Sequence, residues 1–137
     1  MSTLERAIAI AAEAHAGMVD KAGAPYILHP LRVMLRVDDE RARIAAVLHD
    51  IVEDTDWTIE RLRAEGFDEE VLQAIDALTR RKGEDYFDFC RRAAQNPIAR
   101  IVKRADLEDN LDLGRIPNPT PKDRERVERY RRALELL

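Results

Sequence analysis

Cysteine occurs once in the 137 residues, as Cys90, which excludes an internal disulfide. The chain is therefore not a small cross-linked secreted scaffold. Aromatic residues make up only 5% of the chain, against 45% hydrophobic and 36% charged residues. That balance, heavy in Ala, Leu, Ile, Arg and Glu, favours helices over a β-sandwich. No apolar run approaches the roughly 18 residues that a membrane span needs. The stretch from Met1 to Met18 lacks the basic start and plain apolar centre of a signal peptide, because Glu5, Arg6, Glu13 and His15 interrupt it. A soluble, cytoplasmic protein with no membrane partner is expected.

The net charge of −4 disfavours general nucleic-acid binding. The distribution is uneven, with seven Lys or Arg against four Asp or Glu from Arg115 to Leu137. A solvated helix face laced with ion pairs accounts for this tail, and phosphate binding is the sharper alternative. The length suits one domain over residues 1–137 with a single core that needs no structural metal.

Apolar periodicity predicts helices throughout and no strand of useful length. Leu4, Ile8, Ala11, His15 and Met18 place a helix at about Thr3 to Met18. Gly23 and Pro25 mark a loop from Val19 to Tyr26. A short helix follows His29-Pro30, and another runs from Arg41 to about Glu53, with Asp38 or Asp39 as its N-cap. Thr58 opens a short helix that Gly66 stops, and Asp68 caps one bearing Val71, Leu72, Ile75 and Leu78. Further helices are expected from about Glu84 to Gln95, from Ile98 to about Leu113, and along Val127, Tyr130, Leu134 and Leu137. Gly114 to Pro121, with three prolines, reads as loop. His15 sits on an apolar stripe, as a core histidine or one that backs a site. Cys90 is expected to be a small buried side chain.

The chemistry concentrates in His29-Pro30, His49-Asp50, Glu53-Asp54 and Asp106. Polar and charged groups inside an otherwise apolar helix are expensive to bury without a partner. Four converging carboxylates would also repel one another unless a cation joined them. Two neutral imidazoles and two carboxylates can hold one divalent metal, and a second carboxylate pair beside them can move protons. On a continuous helix Glu53 would stand above His49, and Asp54 above Asp50. This is equipment for hydrolysing a phosphate ester.

Three segments carry a resemblance: AHAGMVDKAGAPYILHP (Ala14 to Pro30), AAVLHDIVEDTDWTIERL (Ala45 to Leu62) and IVKRADLEDNLD (Ile101 to Asp112). With its PYIxHP and HDxVEDT strings, the chain resembles the HD-domain metal-dependent phosphohydrolases. More narrowly, it is similar to the hydrolase domain of RelA/SpoT-type (p)ppGpp enzymes and to small alarmone hydrolases. The resemblance implies an all-α HD-domain fold and a Mn²⁺ site, other divalent metals being compatible. It implies His29, His49, Asp50 and Asp106 as metal ligands, and Glu53 and Asp54 as the pair for water activation and proton transfer. Which of the two is the base stays open. Lys21 matches a basic residue of the substrate loop and Asn110 a nucleotide-contacting asparagine. Lys103 is placed to reach a phosphate or to pair with a nearby carboxylate, and Arg115 or Arg124 are further candidates for phosphate. The implied reaction removes the 3′-pyrophosphate of (p)ppGpp.

Three departures qualify the substrate. The family's loop reads Gly-Gln-x-Arg-Lys, where this chain has Gly17-Met18-Val19-Asp20-Lys21, so Asp20 replaces an arginine that helps hold the base. The family's Asp-Arg-Leu-His-Asn is here Asp106-Leu107-Glu108-Asp109-Asn110, which predicts a more acidic rim. The chain is also shorter than typical members, with no synthetase or regulatory segment in view. Two other readings therefore stand beside the first. One is an HD phosphohydrolase acting on an adenine alarmone, a nucleoside monophosphate or NADPH. The other is a non-catalytic nucleotide sensor or interaction module. Oligomeric state is not legible.

Overall fold

A computed structural model describes residues 2–137. The elements run α1 (Leu4–Ala14), α2 (Leu28–Leu35), α3 (Glu40–Leu48), α4 (Ile51–Asp54), α5 (Ile59–Ala64), α6 (Glu69–Ala77), α7 (Tyr86–Ala94), α8 (Pro97–Asn110), a 3-10 turn at Leu113–Arg115, and α9 (Pro121–Leu134). The all-α expectation holds, with no strand among the described residues and a single isolated bridge pairing Val19 with Pro25.

Local signals set most of the boundaries. The Thr3, Asp39 and Thr58 side chains accept from the backbone N–H groups of Arg6, Ala42 and Arg61, satisfying donors that a helix start leaves orphaned. Asn96 caps α8 with Pro97 in its first turn, and Thr120 and Asp123 form a reciprocal capping box on α9. Asp68 precedes α6 but does not cap it through its side chain; its carboxylate accepts from Arg41 Nε instead, at 3.1 Å.

α3 lies at the centre, packed against α1, α2, α6 and α8. Ala42 and every residue from Ile44 to Leu48 are buried, because the second half of the helix, after Glu40, Arg41 and Arg43, is apolar all round. A second cluster joins Cys90, Leu107, Ala133 and Leu137 between α7, α8 and α9.

Four boundaries differ from the sequence reading. α1 ends at Ala14, with Gly17 at φ 83° turning the chain into the loop. α2 begins at Leu28, so His29 and Pro30 lie inside its first turn. α8 stops at Asn110, and part of the proline-rich stretch forms the 3-10 turn. The predicted helix from Arg41 to Glu53 is two elements, interrupted at His49-Asp50. The cause is local: the His49 ring Nδ1 lies 2.5 Å from the Ala46 carbonyl. A continuous helix would use that carbonyl for the N–H of Asp50.

Candidate metal centre and its pocket

Because α2, α3 and α8 pack against one another, His29, the His49-Asp50 break and Asp106 meet at one point. His29 Nε2 lies 2.9 Å from Asp106 Oδ1 and 3.9 Å from Asp50 Oδ2. His49 Nε2 lies 3.2 Å from Asp50 Oδ2 and 3.4 Å from Asp106 Oδ1. One ligand atom from each of His29, His49 and Asp50 falls within 4.8 Å of the others. Asp106 lies outside that tight trio but faces both imidazoles. Tyr26 steadies Asp50 by donating its hydroxyl to Oδ2 at 2.5 Å.

The donor set can be tested for a cation from the hydrogen bonds it makes. His49 donates Nδ1–H to the Ala46 carbonyl, leaving the Nε2 lone pair directed at carboxylate oxygens. That nitrogen is buried and, among the described residues, has no hydrogen-bond partner. His29 donates Nδ1–H to Asp109 Oδ2 at 2.7 Å, so its Nε2 lone pair also meets a carboxylate. Lone pairs facing carboxylates are stable only around added positive charge, as a proton or a metal ion. Two imidazole nitrogens with carboxylate oxygens suit a first-row divalent metal. The residues therefore fit the group.

The titration behaviour expresses the same demand for positive charge. Burial opposes protonation of His29, but the hydrogen bonds to Asp106 and Asp109 outweigh it and hold the imidazole up at about 10. Burial likewise opposes a charged His49, and Asp50 and Asp106 raise it. Asp106 is pulled well below the usual carboxylate range: burial pushes it up, and Lys103 and the two histidines prevail.

Glu53 is exposed at the pocket wall, where its Oε1 accepts the Arg80 backbone N–H at 2.9 Å. Asp54 does not line the pocket among the described residues. Asp54 is exposed to solvent on one side, and partial desolvation, then the nearby charges of Asp50 and Glu53, push its carboxyl up to about 6. With the helix broken at Asp50, Glu53 and Asp54 are not stacked above His49 and Asp50 on one continuous helix.

Beside the metal residues opens a cavity of about 490 Å³. Lys21, exposed in the loop, lines it together with Asn110 and Arg115. Partial desolvation at the cavity wall, then Arg126, lowers the Lys21 ammonium. Asn110 Nδ2 donates to Asp106 Oδ1 at 3.2 Å. Lys103 is buried, with Nζ 3.1 Å from Asp106 Oδ2 and 4.7 Å from the centre of the Phe89 ring. It pairs with a carboxylate, as one of its two sequence readings expects, and it also lines the cavity.

Several residues need a different account from the one the sequence invited. Arg124 is exposed and does not line the cavity, whereas Arg126 does. Arg126 stands one turn from Tyr130, so helical phase along α9 was the available signal. Asp20 does line the cavity, but its Oδ1 accepts the N–H groups of Ala22 and Ala24 at 2.9 and 3.0 Å. Its carboxylate thus builds the loop. Glu108 is exposed, whereas Asp109 is completely buried under His29 and Arg32 rather than set on an acidic rim. An Asp on the buried face of α8, three residues after Asp106, was the missed signal. His15 is buried against Tyr26, ring centres 4.9 Å apart, with neither ring nitrogen hydrogen-bonded among the described residues.

Comparisons with known proteins bear on the family and the fold. A family model described as HD domain matches residues 7–134. The chain is 34% identical over 120 residues to a guanosine-3′,5′-bis(diphosphate) 3′-pyrophosphohydrolase of Aquifex aeolicus, covering 79% of this chain and 17% of that protein. It is 32% identical over 150 residues to a probable GTP pyrophosphokinase of Mycobacterium leprae, covering 100% of this chain and 18% of the relative. It thus spans less than a fifth of the length of these curated relatives. Among solved structures it is similar to a metazoan ortholog of SpoT that hydrolyses ppGpp, with TM-score 0.78 and 25% identity, covering 98% of this chain and 84% of the other.

Proposed function

The chain belongs to the HD-domain family, and on that premise we propose that it is a metal-dependent nucleotide phosphohydrolase that removes the 3′-pyrophosphate of (p)ppGpp. The observation that carries this reading is the pair of Nε2 atoms, on His29 and His49, turned toward Asp50 and Asp106 at the edge of a cavity that Lys21, Arg115 and Arg126 also line. We infer that these four residues hold Mn²⁺, and that residues 1–137 act as one catalytic domain in the cytoplasm. Nucleic acid is not its substrate. No helix among the described residues is long and apolar enough to cross a membrane.

When bound, the metal supplies acidity to water and polarises a phosphoryl oxygen. The rest falls to side chains. Lys21, Arg115 and Arg126 hold phosphate oxygens from the cavity wall. Asn110, hydrogen-bonded to Asp106, faces the nucleotide. Lys103 keeps Asp106 ionised. Glu53, steadied by the Arg80 N–H, orients or deprotonates the attacking water. Attack at the 3′ phosphorus breaks its bond to the ribose oxygen, which takes up a proton. Asp54, titrating near 6, is suited to exchange protons close to neutrality.

Purified protein with Mn²⁺ is expected to release pyrophosphate from ppGpp, and Asp50→Ala to abolish this. Full metal occupancy without turnover would refute the substrate. A second reading keeps the metal and changes the nucleotide to an adenine alarmone, a nucleoside monophosphate or NADPH. Asp20 favours it, because its carboxylate holds the loop where a guanidinium would meet the base. A nucleotide panel scored separately for phosphate and pyrophosphate separates the two.

A further inference from the structure

We propose that Asp109 is a positioning residue of the metal centre, which locks the His29 imidazole with Nε2 toward Asp50 and Asp106 and is itself held by Arg32 and Arg115. This rests on the metal-centre reading above.

Asp109 is completely buried. Arg32 Nε donates to its Oδ1 at 2.9 Å, and Arg36 Nη2 stands 3.7 Å from the same oxygen. Arg115 Nη2 lies 3.5 Å from Oδ2 and donates to the Asp109 backbone carbonyl at 2.8 Å. A guanidinium only donates, so Asp109 is an acceptor on every side. His29 Nδ1, 2.7 Å from Oδ2, must then carry the hydrogen. Nε2 is then the nitrogen that offers a lone pair once an ion displaces its proton. His49 reaches the same tautomer through a neutral main-chain carbonyl, that of Ala46. The two imidazoles thus differ in their supports, and only His29 leans on a full negative charge.

The helices explain why the arrangement is stiff. α2 supplies both His29 and Arg32, three residues apart, and α8 supplies both Asp106 and Asp109, also three apart. One buried carboxylate therefore ties together the two helices that face each other across the site. Carboxylates placed behind a ligating histidine fix its ring and raise its basicity. Arg32 and Arg115 also line the cavity, so the network runs from the pocket wall to the back of the imidazole.

Mn²⁺ binding to the full chain, measured by calorimetry without substrate, tests the role. Asp109→Asn keeps the shape but loses the charge and one acceptor oxygen. It is expected to weaken Mn²⁺ binding about 10- to 100-fold, with kcat at limiting metal recovering as Mn²⁺ is raised. Arg32→Gln is expected to cause a smaller loss in the same direction. In the Zn²⁺-loaded protein, the ring ¹⁵N resonances of wild-type His29 should show hydrogen on Nδ1. Folded Asp109→Asn with unchanged Mn²⁺ affinity overturns the inference and leaves the metal centre standing. Wild-type protein that binds no Mn²⁺ overturns both. Where Asp109→Asn fails to fold, unchanged affinity in both Arg32→Gln and Arg115→Gln overturns it.

Discussion

Lys103 Nζ stands 3.1 Å from Asp106 Oδ2, while Oδ1 of the same carboxylate faces His29 and His49. Asp106 therefore serves a buried ammonium with one oxygen and the histidine pair with the other. Breaking a buried ion pair by removing one partner costs about 3–5 kcal/mol, because the other charge is left uncompensated. Lys103→Met is expected to destabilise the metal-free protein by less than that amount, because His29 still pairs with Asp106. Bound metal should reduce the loss. Urea unfolding with and without Mn²⁺ measures both, and equal losses in the two conditions would contradict the shared use of Asp106.

Metal binding should strengthen as pH rises. The His29 imidazole of the metal-free protein is held up to about 10, because its hydrogen bonds to Asp106 and Asp109 outweigh its burial. An ion must displace that proton, so affinity should rise roughly tenfold per pH unit for each proton released, until the pH reaches the imidazole's own value. Stability of the metal-free protein should move the opposite way. A pKa raised on folding contributes stability in full below its ordinary value near 6.5, lost as pH climbs through about 10. Calorimetry in buffers of different ionisation enthalpy counts the released protons, and chemical unfolding across pH 6 to 10 follows the stability.

Glu53 and Asp54 should separate kinetically. Glu53 lines the cavity with one oxygen tied to the Arg80 N–H, and Asp54 carries a carboxyl pushed up to about 6 by partial desolvation, Asp50 and Glu53. General acid–base groups typically contribute about 10²- to 10⁴-fold. Glu53→Gln is expected to reduce kcat within that range, and Asp54→Asn to remove an inflection near pH 6 from the rate profile. Finding the inflection intact in Asp54→Asn would assign it to another group.

The loop should respond to Asp20 through binding rather than chemistry. Its Oδ1 accepts from both Ala22 and Ala24, and each such bond is worth about 0.5–1.5 kcal/mol. Asp20→Ala should raise KM several-fold with kcat little changed, and Asp20→Asn should retain most of the affinity. A fall in KM for ppGpp on Asp20→Ala would instead mark the carboxylate as a repulsive element in the pocket.

The candidate metal residues and the helical class were legible because both are local or compositional. A histidine and carboxylates inside apolar helices declare themselves by their cost of burial. The caps at Thr3, Asp39, Thr58 and Asn96 act within three residues of themselves, which is why helix starts are readable. The break at His49 was not legible, because it depends on which way one imidazole turns. Continuous periodicity through Ile44, Val47, Leu48 and Ile51 hides it.

By itself the sequence determined that this chain is helical and which histidines and carboxylates are candidates for its chemistry, since period, capping and residue type are properties of short segments. The tertiary structure alone decided which carboxylate serves which partner. Asp20 went to the loop backbone, Asp106 to Lys103 and the histidines, and Asp109 beneath His29. The reason is physical. Identical carboxylates are distinguished only by the donors brought within hydrogen-bond reach, and these range from loop N–H groups two and four residues beyond Asp20 to His29, 80 residues from Asp109 along the chain.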